Sequence, residues 1–310
     1  MPTSKTLIPL TIAGVIIWIW AGSFIFIKLA LETFTPMTLA FVRFAIATPV
    51  LIAITMYARP SRQAIRTALT REFWLFSFLG LAGVTLLYVF QFYSLGFISA
   101  TEGSVIINLH AIFAMLLSAA FLKEPLTTRK MSGVFVAFAG LLVITIAGDT
   151  IASLTMLEPV GVMLMVAAAL CWAAYSVFGK KVLHRYSNQV ATSSAFVLGT
   201  LFLVPFALSE GRMDSILNPS LTAWGSVLFL AIPSSVVAYL LWNRLIRSTD
   251  VTKVLVSLYV IPIPTAILSY IFLGETITLR LVLGAALVIA GVYLTSSSKS
   301  LEGVSAVAAG

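Results

Sequence analysis

The sequence contains ten apolar segments that are each long enough to cross a lipid bilayer as a helix. A crossing helix needs about 20 mostly apolar residues, because the hydrocarbon core is about 30 Å thick and a helix rises 1.5 Å per residue. Apolar runs of this length differ from the short alternating strands of a membrane barrel. We therefore predict an all-α integral membrane protein with ten transmembrane helices, near residues 7–28, 36–57, 73–95, 101–122, 130–147, 159–179, 190–208, 222–242, 252–273 and 279–297.

Composition separately excludes a soluble protein. Hydrophobic residues make up 60% of the 310 positions and charged residues 10%, and the mean hydropathy is +1.07. About a quarter of the residues of a soluble domain are normally charged. No small-residue cleavage site follows the first apolar segment, so we interpret it as a retained helix rather than a signal peptide. The single cysteine, Cys171, lies inside an apolar segment and has no partner for an intramolecular disulfide.

Two segments of the chain match each other without a gap. Residues 121–140 read FLKEPLTTRKMSGVFVAFAG, and residues 272–291 read FLGETITLRLVLGAALVIAG. Glu124 and Glu275 align at an offset of 151 positions, together with a Thr, an Arg and two glycines. Chance similarity between apolar segments accounts poorly for the matched polar residues, so we interpret the chain as an internal duplication. The predicted units are a first repeat at 1–147 with helices 1–5, a second at 158–297 with helices 6–10, and a disordered tail at 298–310.

The distribution of basic residues predicts how the helices are oriented. We predict that both termini are cytoplasmic, because this orientation places all but four of the 19 Lys and Arg residues on the cytoplasmic side, as is usual for membrane proteins. The exceptions are Lys28, Arg43, Arg212 and Arg280. Because each repeat has an odd number of helices, the second repeat must enter the membrane upside down. Inverted repeats are typical of alternating-access transporters with a binding site near the midplane.

Three local patterns resemble the EamA-type family of the drug/metabolite transporter superfamily. WAGSFIFIK at 20–28 is similar to the first helix of that family, and LAFVRF at 39–44 is similar to the second helix with its arginine. SLYVIPIPTAILSYIFLGE at 257–275 resembles the penultimate helix, with a proline thirteen residues before Glu275. The first repeat departs from this pattern, because Ala111 stands thirteen residues before Glu124.

The resemblance covers about residues 10–297. It implies ten helices around a central cavity lined mainly by helices 1, 3, 4, 6, 8 and 9, and an activity that moves small metabolites, often outward. It does not indicate a particular substrate.

Polar and aromatic side chains recur at matched positions in these helices, spaced so that they share a helical face. Polar groups in hydrocarbon must find hydrogen bonds, so they face protein or water. For Gln91 and Asn108 the alternative is a structural bond between helices, and for Trp20 and Trp242 it is an interfacial aromatic belt. We predict a substrate site formed by Trp20, Ser23, Tyr88, Gln91, Asn108, Trp172, Tyr175, Tyr239, Trp242 and Tyr259.

Two ionisable residues lie inside apolar segments and have two interpretations each. Arg43 either forms a structural pair with Glu32 or Glu102, which we favour, or holds a substrate carboxylate with its guanidinium. His110 would couple transport to protons if it faced the cavity. Two residues turn a helix by about 200°, so His110 lies away from the Asn108 face, and the alternative is that it faces another helix.

Helix ends and small residues carry structural signals. We interpret Glu124 and Glu275 as fasteners rather than substrate groups, with Thr127 and Thr278 capping the following helices and a nearby Arg pairing each Glu. Glycines spaced by seven residues permit close helix packing. These are Gly133 with Gly140, and Gly284 with Gly291. Pro262 and Pro264 are expected to break helix 9 and to provide a hinge or free carbonyls.

The sequence shows no nucleophile–base pair, metal-ligand cluster, phosphate-binding loop or dinucleotide-binding glycine pattern. We therefore predict no enzymatic activity, cofactor or bound metal, and ATP is not the direct energy source. The net charge of +8 follows the membrane orientation and does not indicate nucleic acid. Whether the chain forms a homodimer is left open.

The prediction is a multi-pass secondary transporter of the cell (inner or plasma) membrane that exports small metabolites. Neutral or aromatic amino acids are the first candidates, because aromatic residues dominate the predicted site. Other solutes, such as drugs or nucleotide sugars, a channel, and a membrane-embedded enzyme are the alternatives.

Overall fold

A computed structural model describes most of the chain. It covers residues 4–57, 62–122, 127–147, 155–156, 158–183, 185–211, 216, 219–248 and 258–296. The described residues are almost entirely helical, because a backbone in hydrocarbon satisfies its polar groups most simply within a helix. Seven of these helices are long and apolar enough to cross a membrane, and three shorter apolar helices cover Met131–Val143, Pro262–Leu273 and Leu279–Leu294. The predicted first residues of helix 9, Glu124 and the tail at 298–310 lie outside the described residues.

In the first half of the chain, the described residues form eight helices. A π-helical turn at Leu81–Leu86 joins α4 to α5, and a 3-10 turn at Ile107–Leu109 joins α6 to α7, so each pair forms one continuous rod. The predicted connection at 58–72 contains helix α3. The helices are α1 (Ser4–Leu31), α2 (Pro36–Tyr57), α3 (Arg62–Arg71), α4 (Phe73–Gly80), α5 (Leu87–Leu95), α6 (Ala100–Ile106), α7 (His110–Leu122) and α8 (Thr128–Thr145).

Six helices are described in the second part of the chain, within residues 158–183, 185–211, 219–248 and 258–296. A second π-helical turn, Leu230–Val237, joins α11 to α12. The helices are α9 (Pro159–Leu183), α10 (Asn188–Ser209), α11 (Leu221–Phe229), α12 (Ala238–Ser248), α13 (Pro262–Leu273) and α14 (Leu279–Ser296). Pro262 stands at the first position of α13, where a missing amide proton costs no helical hydrogen bond.

One short strand pair corrects the predicted fifth helix. That helix was expected to reach residue 147, but α8 ends at Thr145. Ile146–Ala147 (β1) instead pairs antiparallel with Thr155–Met156 (β2). Strand partners eight and ten residues away are not visible in the local apolar pattern.

Side-chain caps fix several helix starts. Ser187 and Ser220 accept bonds from the Val190 and Ala223 amides. The predicted cap at Thr278 is confirmed, since its hydroxyl accepts a 3.2 Å bond from the Leu281 amide. Thr127 directly precedes α8, and its carbonyl accepts a 3.1 Å bond from the Met131 amide. Each side-chain cap satisfies an amide that has no partner within the helix, whereas the Thr127 bond is the first backbone bond of α8.

Residues separated by 151 or 152 positions meet each other in the centre of the bundle. The rings of Trp20 and Trp172 lie 5.5 Å apart, and those of Phe44 and Phe196 lie 5.1 Å apart. The hydroxyls of Tyr88 and Tyr239 share a 2.8 Å hydrogen bond, and those of Thr48 and Thr200 share another of 2.8 Å. Contacts between equivalent residues are expected along a two-fold axis that relates two similar units.

The four predicted packing glycines bring α8 and α14 into backbone contact. A Cβ atom on Gly140 would lie 2.7 Å from the carbonyl oxygen of Gly284. A Cβ atom on Gly291 would lie 2.5 Å from the carbonyl oxygen of Gly133 and 2.3 Å from the amide nitrogen of Ala137. The predicted close packing is therefore confirmed, and it is reciprocal between the two helices.

We expect Gly291→Ala to lower the thermal midpoint of the purified protein by several degrees. The added methyl group meets backbone atoms that cannot move independently, and overpacking of this kind costs about 1–3 kcal/mol. Gly225→Ala is the matched control, because no atom lies within 4 Å of its Cβ position and alanine favours a helix. Equal midpoints for the two variants would contradict the close contact.

Candidate functional site

A cavity of about 600 Å³, part of it open to solvent, lies among helices from both parts of the chain. Its walls come from α1, α2, α5, α7, α9, the 3-10 turn, the second π-helical turn and the residues that precede α13. The predicted cavity helices are therefore found, with α2 in addition. The lining residues are Trp20, Ser23, Phe24, Arg43, Leu87, Tyr88, Gln91, Ile107, Asn108, His110, Trp172, Ser234, Leu258 and Ile261.

Six of the ten predicted substrate residues line this cavity, and so do both ionisable candidates. The six are Trp20, Ser23, Tyr88, Gln91, Asn108 and Trp172, and the ionisable pair is Arg43 and His110. The alternative of an interfacial aromatic belt is wrong for Trp20 and Trp242, because each is only 8% exposed inside the bundle.

The other four predicted residues are not among the lining residues. Tyr239 and Trp242 form a second layer, with Tyr239 bonded to Tyr88 and Trp242 5.5 Å from the Trp20 ring. Tyr175 packs against Gly83, where an added Cβ would come within 2.2 Å of its ring. Tyr259 is buried just before α13. Direct substrate contact therefore stays a prediction for these four residues.

Six lining residues were missed by the sequence reasoning. Five of these are apolar and have no distinguishing pattern, namely Phe24, Leu87, Ile107, Leu258 and Ile261. The sixth, Ser234, follows Pro233 in an apolar helix, and a polar residue beside a helix-disturbing proline was an available signal. The two π-helical turns occupy equivalent parts of the two halves, and such turns are frequent at functional sites.

Arg43 is buried at the cavity wall and held by neutral groups. Its Nε donates to Ser235 Oγ at 2.8 Å, and its Nη2 donates to Ser234 Oγ at 3.2 Å and to the Tyr88 hydroxyl at 3.4 Å. The guanidinium carbon lies 4.2 Å from the centre of the Tyr88 ring. The side chain is 2% exposed. These contacts orient the guanidinium plane without neutralising its charge.

The expected ion pair of Arg43 with Glu32 or Glu102 is not formed. Glu102 instead accepts a 2.8 Å bond from the Ser99 amide in a capping box at the start of α6. Within the part of the chain that the structure describes, Arg43 has no carboxylate within ion-pair distance. The position of Arg43 along α2 predicts its depth in the membrane but not the direction of its side chain. The rotation of α2 turns Arg43 inward, so the predicted ion pair is wrong.

Aromatic rings form a continuous wall beside Arg43. Trp20 packs edge-on against Trp172, and its indole Nε1 donates to the Ser234 carbonyl at 3.4 Å. Trp172 also lies 6.0 Å from the Tyr239 ring and 6.2 Å from the His110 ring. Edge-to-face arrangements of this kind stabilise aromatic clusters and fix the ring orientation.

Neutral polar groups complete the cavity. Asn108 Nδ2 donates to the Ser104 carbonyl at 3.3 Å within its own helical rod, so the alternative of a bond between helices is not found for it. His110 Nδ1 donates to the Ile107 carbonyl at 3.1 Å, because a carbonyl can only accept. In the neutral ring Nε2 is then an acceptor, and it is buried without a hydrogen-bond partner among the described residues.

His110 and Asn108 line the same cavity, which corrects the expectation that His110 faces elsewhere. The 3-10 turn at Ile107–Leu109 is the reason. Its residues advance by about 120° each instead of about 100°, which brings the two side chains closer in direction.

Two carboxylates bind helix N-termini at one end of the bundle. Glu210 accepts bonds from the Met37 amide at 3.2 Å and the Thr38 amide at 3.0 Å, and from the Thr35 hydroxyl. The Tyr93 hydroxyl donates to the same carboxylate at 2.8 Å. A negative charge at the start of α2 is favoured by the helix dipole.

Glu275 makes the equivalent contact with α6. It accepts bonds from the Ala100 amide at 2.8 Å and the Thr101 amide at 3.4 Å. It also forms an ion pair with Lys28 at 3.6 Å. Glu275 therefore connects α13 to both α1 and α6.

The charge of Glu210 is maintained by its donors. Burial raises the pKa of this carboxyl. The hydrogen bonds from Thr35, Tyr93, Thr38 and Met37 together lower the pKa by more than burial raises it, so the net shift is downward. Its stabilising contribution is therefore present above the ordinary pKa of a glutamate. That contribution is lost only as the pH falls through the depressed pKa.

Apolar helices that surround a partly polar cavity are typical of multi-pass membrane transporters. The family model for the EamA-like transporter family matches residues 7–146 and 159–297. The chain belongs to this family, so it is a transporter and not an enzyme.

Similar proteins agree with this class. An "Uncharacterized transporter" of Archaeoglobus fulgidus is 39% identical over 282 residues, covering 91% of this chain and 94% of the relative. A "Probable amino-acid metabolite efflux pump" of Salmonella typhimurium is 27% identical, covering 91% and 93%. A "Probable terminal-alkyne amino-acid exporter" of Streptantibioticus cattleyicolor is 26% identical, covering 89% of each chain.

A solved crystal structure has the same fold. It matches with a TM-score of 0.62 over 95% of this chain and 96% of the other, at 22% sequence identity.

Proposed function

We propose that this protein is an alternating-access secondary transporter that exports an amino acid or an amino-acid metabolite. The observation that carries the proposal is the central cavity, whose wall combines a buried guanidinium with aromatic side chains. Such a combination suits a solute that has a carboxylate and an apolar or aromatic body. The names of two relatives, an amino-acid metabolite efflux pump and an amino-acid exporter, support the same solute class.

Two inverted repeats, at 1–147 and 158–297, form the proposed machinery. The self-contacts of equivalent residues support a two-fold relation between them. Glu210 directly follows the end of α10 and binds the start of α2. The equivalent helices α2 and α10 therefore run in opposite directions relative to this end of the bundle, which supports an inverted arrangement.

The carboxylate contacts of Glu210 and Glu275 support a conformation that is closed at one end. With the protein in the inner membrane and both termini in the cytoplasm, the end that holds Glu210 and Glu275 is the outer end. To open the outer end, the protein must break the bonds of Glu210 to α2 and of Glu275 to α6. The opposite end of the bundle would then close. A protein whose cavity opens to one side of the membrane at a time is a carrier and not a channel.

Solutes rich in phosphate fit less well. Arg43 is the only Lys or Arg among the lining residues that the structure describes, and a phosphate or nucleotide sugar is usually held by several. We therefore favour carboxylates over sugar phosphates and nucleotide sugars.

Counterflow in proteoliposomes tests the function. Vesicles loaded with unlabelled phenylalanine or its hydroxy acid should accumulate the labelled compound transiently and saturably, because a carrier exchanges solutes faster than it returns empty. Protein-free vesicles provide the background. If neither amino acids nor amino-acid-derived acids show accelerated exchange, the proposed function is wrong.

A further inference from the structure

Resting on the proposed function, we propose that Arg43 binds the substrate carboxylate and that the cavity selects solutes by net charge. Compounds with a charge of −1 bind more tightly than zwitterions of the same shape, and cations are excluded. The preferred substrates are therefore carboxylic acids whose amine is absent, acylated or replaced by a hydroxyl.

The first reason is the unbalanced charge of Arg43. Its side chain is 2% exposed, and no Asp or Glu is among the residues that line the cavity in the described part of the chain. An isolated buried charge is costly, and that cost is reduced by a partner of opposite sign. A substrate carboxylate would supply the missing charge.

The second reason is the geometry of the guanidinium. Ser234 and Ser235 hold one edge of the group, and the Tyr88 ring supports its face. Among the described residues, Nη1 makes no hydrogen bond, so its two donors remain for a ligand. An arginine that is fixed by its other nitrogens offers a directed, charge-assisted contact to a carboxylate.

The third reason is the neutral character of the remaining wall. A substrate ammonium would find no carboxylate among the described lining residues. The unpartnered Nε2 of His110 offers one neutral acceptor, which suits a hydroxyl or an amide N–H. The charge balance of the occupied cavity is therefore best for a monoanion, since a zwitterion brings a second positive charge into the same buried space.

Three compounds with the same phenyl ring and two-carbon chain separate these charges. They are 3-phenyllactate with a charge of −1, phenylalanine with zero, and phenethylamine with +1. We expect Kd to rise about tenfold from phenyllactate to phenylalanine, and no measurable binding of phenethylamine. Calorimetry or ligand-induced thermal shifts of the purified protein provide the measurement. Phenylalanine that binds as tightly as phenyllactate or more tightly, or phenethylamine that binds as tightly as either, would overturn the proposal.

Variants of Arg43 identify the responsible group. Arg43→Gln should raise the Kd for phenyllactate about ten- to a hundredfold. It should also remove the difference in Kd between phenyllactate and phenylalanine. Arg43→Lys keeps the charge but loses the planar fork, so its affinity should be intermediate. Arg185→Gln is the matched control, because Arg185 is exposed and pairs with Glu72 away from the cavity lining.

The outcomes separate this proposal from the proposed function. If Arg43→Gln folds and retains the charge ranking, Arg43 is not the carboxylate group. If Arg43→Gln does not fold, the Arg43→Lys result and the ligand series decide the matter. Counterflow without any charge ranking contradicts only the present proposal, whereas absence of counterflow with every compound contradicts the function itself.

Discussion

Trp172→Ala is expected to raise the Kd of an aromatic substrate about thirtyfold while leaving a folded protein. Trp172 lines the cavity and contacts Trp20, Tyr239 and His110. Truncation removes a large rigid surface from the centre of the site, where aromatic anchors typically contribute about 2 kcal/mol or more to binding. Binding calorimetry, with size-exclusion chromatography as the test of folding, provides the measurement.

Two controls make this result specific. Trp74→Ala removes the same side chain from a position that is 84% exposed, and its substrate affinity should be unchanged. Tyr175→Ala should lower thermal stability more than affinity, because Tyr175 packs on Gly83 and not in the cavity. If Trp172→Ala binds substrate like the parent, this wall is not the binding surface.

Glu210→Gln is expected to open the end of the bundle that holds the starts of α2 and α6. The glutamate accepts bonds from several donors at once. Glutamine offers one acceptor oxygen, and its amide hydrogens meet the N–H groups of α2 unfavourably. The loss of charge also removes the favourable interaction with the helix dipole.

Spin labels can measure this opening. Phe97, just after the end of α5, and Leu221, the first residue of α11, are both exposed at this end. In a Cys171→Ala background, labels at these two positions should show a longer distance in Glu210→Gln than in the parent. Glu158→Gln, an exposed glutamate just before α9, serves as the control. An unchanged distance distribution would show that the Glu210 bonds do not hold this end closed.

The pH dependence of this end follows from the downward pKa shift of Glu210. The carboxyl stays ionised through the neutral range, so a moderate fall in pH should not reproduce the opening of Glu210→Gln. Opening should begin only when the pH falls through the depressed pKa.

The positions of the helices could be predicted from the sequence because the bilayer fixes both their length and their type. Pro36–Tyr57 and Phe73–Leu95 agree with the apolar segments at both ends. The early end of α8 at Thr145 depends on a strand partner elsewhere in the chain. Helix α3 depends on an amphipathic pattern in a polar connection. Neither feature follows from the length of an apolar segment.

The site could be predicted only in part, because helical spacing gives depth and relative direction but not neighbours. Trp172 and Tyr175 share a face, yet Gly83 admits the Tyr175 ring into a helix contact while Trp172 reaches the cavity. The sequence predicts the depth of Arg43. Its serine partners come from a π-helical turn, and Pro233 beside Ser234 is the one sequence signal for that turn. Irregular turns and inter-helix rotation were therefore the missing information.

The central claim is that two inverted repeats enclose the substrate cavity. Thr128 and Leu279 are equivalent, exposed first residues of α8 and α14, and they test it directly. Single cysteines at these positions, in a Cys171→Ala background, can be labelled with a membrane-impermeant maleimide in intact cells. We expect Leu279→Cys to react from outside and Thr128→Cys to react only after the membrane is permeabilised. Reaction of both cysteines from the same side would contradict the inverted arrangement.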